Sequence, residues 1–181
     1  MVCKSTGSNQ AAELFEASHK STLEEAERLR HVLTNLRYEG RPSFGRNIKE
    51  TQGVLKFFNE ELIQHVELEE EVLFPFLKTH VPKLESVIHL LEAEHMDFRL
   101  KLKNFETLLS DLQKEHSEID REGALEKMRE CGIYLIYLLQ SHIQAENQSV
   151  YRVAERELHT GEKKELVEKV TKRRHAKQNL R

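Results

Sequence analysis

The chain has 181 residues, a length typical of a single domain. Only seven residues are glycine and three are proline, which argues against sandwiches, barrels and other strand-and-turn folds. The formal net charge of −3 gives no electrostatic basis for nucleic-acid binding. The chain has ten histidines and no tryptophan, and a histidine excess among many glutamates raises the question of a metal site.

No segment of the sequence predicts export or membrane insertion. Residues 1–10 are polar and lack the apolar core of a signal peptide. The longest run free of Lys, Arg, Asp and Glu, residues 132–145, is too short to span a bilayer. Cys3 and Cys131 lie in different contexts and suggest no disulfide framework. We therefore expect a cytoplasmic protein with neither a membrane nor a nucleic acid as partner.

Apolar residues recur at spacings of three and four along most of the chain, as in amphipathic helices. Gly40 and Pro42 are expected to end the first helix, and Pro75 to loosen the last turn of the second. Residues 116–123 are polar and are interpreted as a loop. The predicted helices cover residues 11–38, about 47–79, 83–114, 124–158 and, as a short polar fifth helix, 160–172.

Four long helices joined by short connections predict an all-α fold, an up-down-up-down four-helix bundle with a short C-terminal helical extension. The expected organisation is a flexible lead over residues 1–10, the bundle over 11–158 and a polar helix and tail over 159–181. The basic cluster at residues 172–175 is interpreted as a solvated tail rather than as a docking site for an acidic partner.

Two helices carry the pattern His-x-x-x-Glu, at His65 with Glu69 and at His142 with Glu146. Residues four apart share a helix face, so each pair can present an imidazole and a carboxylate to one point. The bare pattern arises by chance in a chain so rich in Glu and His. Both pairs, however, lie on apolar stripes that should face the core, where such groups are costly unless they are paired or bind a metal.

His19 and His95 extend this set to all four helices. Counted from the shared loops of an up-down-up-down bundle, both lie at the level of the two pairs to within about one helical turn, ~5 Å. The sequence therefore predicts six metal ligands, which are His19, His65, Glu69, His95, His142 and Glu146. The other histidines fail this test and are expected in loops or on the surface: His31, His80, His89, His116, His159 and His175.

Six side chains are too many for one tetrahedral zinc ion, and they suit two ions that share bridging carboxylates. Glu69 and Glu146 are the natural bridges, with two histidines as terminal ligands on each ion. Imidazole and carboxylate without thiolate favour iron, with manganese and zinc as alternatives on ligand type alone. The apolar side chains expected on one side of the site, Leu62, Phe98, Leu138 and Leu139, would line a dry pocket for a small molecule such as O₂ or NO.

The segment HVELEEEVLFP at residues 65–75 closely resembles the second-helix signature of the hemerythrin-like family, the HHE cation-binding domain. The segment HIQAENQSVY at residues 142–151 resembles its fourth-helix counterpart, and residues 94–95 and 19–23 resemble the patterns of the third and first helices. The similarity covers about residues 11–158. It implies a four-helix bundle with a non-heme di-iron site and an oxo or hydroxo bridge.

The chain departs from the oxygen-carrying hemerythrins at the third helix. Those proteins have a second histidine four residues from the first, whereas Leu91 and Arg99 flank His95 here. The set of four histidines and two glutamates instead resembles the subgroup linked to nitric-oxide response and repair of iron–sulfur centres. That subgroup typically has an N-terminal domain with paired cysteines, and this chain has a short lead with Cys3 alone.

We therefore expect a di-iron protein that binds, senses or detoxifies O₂, NO or peroxide, with redox turnover of peroxide or NO as the enzymatic version. The alternatives are an iron donor for cluster repair, an interaction module stabilised by metal, and a ferritin-like carboxylate protein. The ferritin-like alternative uses the Glu-x-x-His motifs that begin at Glu16 and Glu92, but it leaves His65 and His142 without a role. In the preferred interpretation Glu16 and Glu94 are candidates to orient the ligand histidines or relay protons.

Overall fold

A computed structural model of the chain describes residues 10–38, 41–114 and 118–178, with side chains described for 15–38, 42–114 and 120–177. Nearly all of these residues are helical, and none of them forms a strand. The all-α fold class is therefore confirmed. Within the same residues, no helix is both long enough and apolar enough to cross a membrane.

The described residues form five helices, and the second and fourth contain π-helical turns. Helix α1 is Gln10–Tyr38, α3 is Glu85–Lys114 and α5 is Thr160–Gln178, and a 3₁₀ turn at Pro82–Leu84 precedes α3. Helix α2 covers residues 41–80 as Arg41–Phe57, the π segment Phe58–Leu62, Ile63–Leu68, the π segment Glu69–Leu73 and Phe74–His80. Helix α4 covers residues 118–157 as Glu118–Ala145, the π segment Glu146–Tyr151 and Arg152–Glu157.

Two expected helix starts are wrong. Helix α2 begins at Arg41 rather than near residue 47, because Pro42 occupies the first turn, where a missing backbone N–H costs nothing. Helix α4 begins at Glu118, within the segment interpreted as a loop. The acidic residues of that segment favour a helix N-terminus, where the helix dipole is positive.

Pro75 and the end of α5 also differ from expectation. Pro75 lies in the first turn of Phe74–His80, directly after the π segment Glu69–Leu73. The loosened turn therefore precedes the proline. Because Pro75 has no backbone N–H, one carbonyl of the preceding π segment loses the helical hydrogen bond that it would otherwise accept. Helix α5 continues to Gln178, past the predicted end at residue 172.

The helices pack into a bundle with two hydrophobic clusters. Helix α1 packs against α2 and α4, and α3 packs against α4 and α2. The first cluster includes Leu33, Phe58 and Phe105, and the second includes Phe15 and Phe74. Helix α5 lies across α1 and the part of α2 around Glu69–Leu73. The basic cluster that was interpreted as a solvated tail is thus part of a packed helix.

Candidate metal centre

The six residues predicted as ligands meet inside the bundle. Each is between 0 and 7% exposed, although all are polar or charged. They come from α1, α2, α3 and α4, so each bundle helix contributes a histidine to the same layer. These residues are His19, His65, Glu69, His95, His142 and Glu146.

The donor atoms form two groups that share both carboxylates. His19 and His65 belong to one group and His95 and His142 to the other, and Glu69 and Glu146 belong to both. Within each group the donor atoms lie within 4.8 Å of one another. The Nε2 atoms of His19 and His65 are 3.0 Å apart, and those of His95 and His142 are also 3.0 Å apart. Each group thus converges on one point, with both carboxylates between the two points.

Each of the two glutamates begins a π-helical turn. Glu69 starts the segment Glu69–Leu73, and Glu146 starts Glu146–Tyr151. The wider π turn brings residues five apart toward one face, which an α-helical turn does not. As a result, Phe74 stacks on His95 and Tyr151 stacks on His19, with ring centroids 5.7 and 5.3 Å apart.

The centre contains carboxylate oxygens with no hydrogen bond. Glu69 Oε2 and both side-chain oxygens of Glu146 are buried and have no hydrogen-bond partner among the residues that the structure describes. Ring nitrogens lie near them, such as His19 Nε2 at 3.1 Å from Glu146 Oε2, but not in hydrogen-bonding geometry. Buried carboxylates need a compensating cation. The donor set of imidazoles and unsatisfied carboxylates therefore fits bound metal ions.

In the metal-free chain, protons supply the compensating charge. Burial alone would lower the pKa of His142, but the adjacent carboxylates of Glu146 and Glu94 raise this pKa to about 9. Burial alone would raise the pKa of Glu146, but His142 and His19 lower it well below its usual range. These opposite shifts show that the two carboxylates strongly favour positive charge beside them.

Three of the ligand histidines have a side-chain partner at the nitrogen that faces away from the centre, and for two of them the partner is Glu94 or Asn147. Nδ1 of His142 lies 2.7 Å from Glu94 Oε2, and Nδ1 of His19 lies 3.1 Å from Asn147 Oδ1. An acceptor at Nδ1 holds the proton there and leaves Nε2 free as a ligand. Glu94 thus has the position expected of an orienting residue. Glu16, the other candidate, lies in an open groove beside His19 and Lys20.

His95 is held by a pair of charged residues that the sequence did not identify. Its Nδ1 lies 3.1 Å from Glu70 Oε1, and Arg99 donates to both carboxylate oxygens of Glu70 at 2.9 and 2.8 Å. Burial alone would raise the pKa of Glu70, but Arg99 and His95 lower it. Arg99, one of the two residues four positions from His95, thus supports this ligand indirectly through Glu70.

His65 differs from the other three ligand histidines. Its Nδ1 is buried and has no hydrogen-bond partner among the described residues. Its ring lines the metal centre and also a second cavity, on the side of α5.

Tyr151 is a centre residue that the sequence interpretation missed. Its hydroxyl donates a hydrogen bond of 2.5 Å to Glu69 Oε1 and lies 3.4 Å from His19 Nε2. The signal was within the segment HIQAENQSVY, but an α-helical period places residue 151 off the face of Glu146. The π turn brings it inward.

A small cavity of about 10 Å³ adjoins the centre, which is the space that one water-sized molecule needs. Apolar side chains form much of its lining, including all four expected on this side: Leu62, Phe98, Leu138 and Leu139. The cavity thus has room for one molecule of about the size of water.

The position of Glu92 does not support the ferritin-like alternative. That arrangement requires Glu92 as a ligand, but both of its carboxylate oxygens accept hydrogen bonds from Lys78, at 2.8 and 2.9 Å. Among the remaining histidines, four are exposed: His31, His89, His159 and His175. His80 is half-buried against Phe76, and His116 lies outside the described residues.

Comparison with known proteins identifies one family. The family model described as the hemerythrin HHE cation binding domain matches residues 10–154, most of the chain. The searches of curated proteins and of solved structures found no match. The matched residues include all six candidate ligands.

Proposed function

The chain belongs to the hemerythrin HHE cation-binding domain family, and from this membership and the geometry of the site we propose that it is a non-heme di-iron protein that binds O₂, NO or peroxide. Domains of this family bind metal ions, usually iron. The observation that carries the proposal is the sharing of Glu69 and Glu146 by two groups of histidines, with carboxylate oxygens that have no hydrogen bond.

Each residue has a defined role in this proposal. His19 and His65 hold one ion, His95 and His142 hold the other, and Glu69 and Glu146 bridge the two. Four protein donors on each ion leave coordination positions open if the ions are six-coordinate. When bound, the ions would supply reversible redox chemistry and a binding position for the small molecule. None of the six proposed ligands is a thiolate. Imidazole and carboxylate ligands favour iron over metals that prefer soft sulfur ligands.

The rest of the chain controls access and protonation. The apolar walls formed by Leu62, Phe98 and Leu138 exclude bulk water from the cavity. Tyr151 holds a proton at its Oη against Glu69, and Glu94 and Glu70 hold protons at Nδ1 of His142 and His95. These side chains keep the inner nitrogens and carboxylate oxygens free for metal.

Further parts of the proposal concern topology and location. Helices consecutive in the chain pack against each other and α1 also packs against α4, which supports up-down-up-down connectivity. We propose that residues 11–158 form the bundle, that the C-terminal part is an extension of it, and that the protein is cytoplasmic.

Metal analysis tests the ligand assignment. The chain is loaded anaerobically with Fe(II), and bound iron is measured for the wild type, His65→Ala and His142→Ala. His89→Ala is the matched control, since His89 is exposed on α3. We expect two iron ions per chain in the wild type and the control, and loss of iron in both site variants. Retention of two ions in both site variants would refute the ligand assignment.

Optical spectra separate small-molecule binding from the alternatives. Reduced, iron-loaded protein is mixed with O₂ or with NO, and the visible spectrum is recorded. A rapid spectral change supports an open coordination position beside the cavity. An unchanged spectrum would favour a metal-stabilised interaction module, and transfer of iron to an apo cluster protein would favour an iron donor.

A further inference from the structure

Helix α5 lies outside the part of the chain that matches the family, and it packs against the segment of α2 that carries Glu69. The family match ends at residue 154, whereas α5 is Thr160–Gln178. Helix α5 contacts both Ile63–Leu68 and Glu69–Leu73 of α2, and it also contacts α1. The metal centre of this chain is therefore bordered by a helix that is not part of the matched domain.

Two apolar side chains anchor α5 in the core. Leu166 and Val170 are 3 and 0% exposed. They belong to the same hydrophobic cluster as Leu68, which precedes Glu69, and as Tyr151, which donates to Glu69. Burial of two aliphatic side chains contributes far more to the attachment of a helix than a partly exposed ion pair does. Helix α5 is therefore a fixed part of the fold.

Two ion pairs join the following turns of α5 to α2. Arg173 pairs with Glu71. Lys177 pairs with Glu67. The cations are four residues apart on α5 and the carboxylates four residues apart on α2, so the pairs lie one helical turn from each other between antiparallel segments. Glu67 and Glu71 each lie two residues from Glu69, which faces the opposite side of α2, toward the metal centre.

Beside the ion pairs, a gap separates α5 from α2. A cavity of about 440 Å³ lies between α5, α1 and α2, and its lining includes Gln64, Leu68, Arg173 and Lys177. Side-chain packing between the two helices is thus incomplete at this level. The contact of α5 with the outer face of the Glu69 segment therefore depends largely on the two ion pairs.

The π turn Glu69–Leu73 needs support from outside its own helix. Such turns are rare, which indicates that a chain prefers the α-helical turn unless tertiary contacts oppose it. If the segment returned to the α-helical period, the residues before the turn would rotate by about 100° relative to those after it, and His65 would no longer face the centre. Glu67 lies before the turn and Glu71 within it, so two pairs anchored on one helix oppose this rotation.

We propose that Arg173 and Lys177 are positioning residues of the metal centre, which hold the π turn of α2 and thereby the orientation of Glu69. The proposal rests on the proposed function, in which Glu69 is a bridging ligand. Neither cation contacts the metal ions, because both act through the backbone of α2. Both pairs are partly exposed, so they contribute little to global stability, and their effect is local.

Amide hydrogen exchange in the metal-free full-length chain tests this role without iron. The double variant Arg173→Gln/Lys177→Gln removes both pairs and keeps the apolar anchors of α5. We expect the amides of residues 67–73 to exchange about tenfold faster, as for easier local opening, while the urea midpoint changes little. Lys169→Gln is the matched control, since Lys169 is exposed on α5 and pairs with Glu165 of the same helix. Unchanged exchange in the double variant would overturn the proposal.

Competition with a chelator measures whether the effect reaches the metal site. We expect the double variant to bind Fe(II) about tenfold more weakly than the wild type, at the lower end of the range for residues that support metal ligands. Lys169→Gln should bind like the wild type. Faster exchange with wild-type iron affinity would overturn the proposal, because the pairs would then hold α2 without positioning Glu69.

A charge swap distinguishes pairing from a general loss of α5 packing. Arg173→Glu places two carboxylates side by side and should weaken iron binding. Adding Glu71→Arg to this variant should restore the affinity to within about threefold of that of the wild type, and absence of this rescue would overturn the proposal. A wild-type chain that binds no iron would refute the di-iron proposal, whereas the exchange experiment would still show whether the two pairs hold the π turn.

Discussion

The hydroxyl of Tyr151 donates a hydrogen bond of 2.5 Å to Oε1 of Glu69, which joins a residue of α4 to a carboxylate of α2 at the centre of the bundle. The tyrosine ring also stacks on His19 with an interplanar angle of 19°. Burial, together with the charges of Glu69 and Glu146, holds the pKa of Tyr151 well above its usual value, so the hydroxyl stays protonated. The contact fixes the orientation of Glu69 and leaves its Oε2 for a cation.

Tyr151→Phe removes this hydrogen bond and keeps the stacked ring. We expect the free energy of unfolding to fall by about 1.5–3 kcal/mol, the range for a hydrogen bond to a charged group. We also expect iron affinity to fall by about 10- to 100-fold, as for other residues that orient metal ligands. Urea unfolding and competition with a chelator measure the two effects. Tyr137→Phe, at an exposed position of α4, is the control, and equal iron affinity in both variants would contradict the assigned role.

Arg99→Gln tests the charged pair behind His95. Without the guanidinium, Glu70 loses its two hydrogen bonds from Arg99 and holds His95 less firmly. We expect iron affinity to fall by about tenfold, at the lower end of the range for such supporting residues, because Arg99 is partly exposed. Chelator competition measures the change, and Lys103→Gln, an exposed cation on α3, is the control. If Arg99→Gln binds iron like Lys103→Gln, the pair does not support the site.

The predictable part of the structure depends on periodicity. The spacing of apolar residues was sufficient to predict the helices, because α1 and α3 are uninterrupted and each buries one apolar face along its length. Level-matching along the four helices also brought together the six buried His and Glu residues of the centre, since an error below one turn does not move a residue out of the layer.

The missed parts depend on departures from that period. Tyr151 and Phe74 reach the centre through π turns, and nothing in a 3.6-residue pattern marks where an extra residue enters a turn. Asn147 directly follows Glu146, and Glu70 directly follows Glu69. In a sequence rich in polar residues, however, nothing shows which polar side chain lies behind a histidine. The packing of α5 depends on ion pairs between distant segments, which a single sequence does not show.

Gly132 marks a close approach between α4 and its neighbours. A Cβ atom at this position would lie 2.6 Å from Leu33 Cδ1 and 2.9 Å from Phe105 Cε2, both in the buried core. We expect Gly132→Ala to lower the free energy of unfolding by about 1–2 kcal/mol, because overpacking costs more than the gain in helix propensity.

Gly123→Ala is the matched control for this substitution. Gly123 lies in the same helix with no atom within 4 Å of the added Cβ, so alanine should stabilise the protein by about 0.5–1 kcal/mol. Urea unfolding of both variants measures the difference. Stabilisation by Gly132→Ala as well would mean that Leu33 and Phe105 move aside without cost.

The metal-free protein should lose stability between pH 6.5 and pH 9. The pKa of His142 is raised to about 9 in the folded chain, and that of His65 is also raised, because Glu146 and Glu69 outweigh the effect of burial. A raised histidine pKa stabilises the fold fully below the unfolded value of about 6.5, and this contribution is lost as the pH rises through the folded value. The pKa of His95 is lowered, with burial as the largest cause, so this residue does not share in the loss.

Urea unfolding of metal-free protein at pH 6.5 and pH 9 measures this loss, which should reach at most about 3 kcal/mol for His142. His142→Gln should show a smaller loss, because Gln carries no titrating proton beside Glu146. Iron-loaded protein should show little change over the same window, since its histidines are then held as neutral rings. A metal-free wild type that is equally stable at both pH values would contradict the raised pKa of His142, and with it the conclusion that the two carboxylates favour a positive charge beside them.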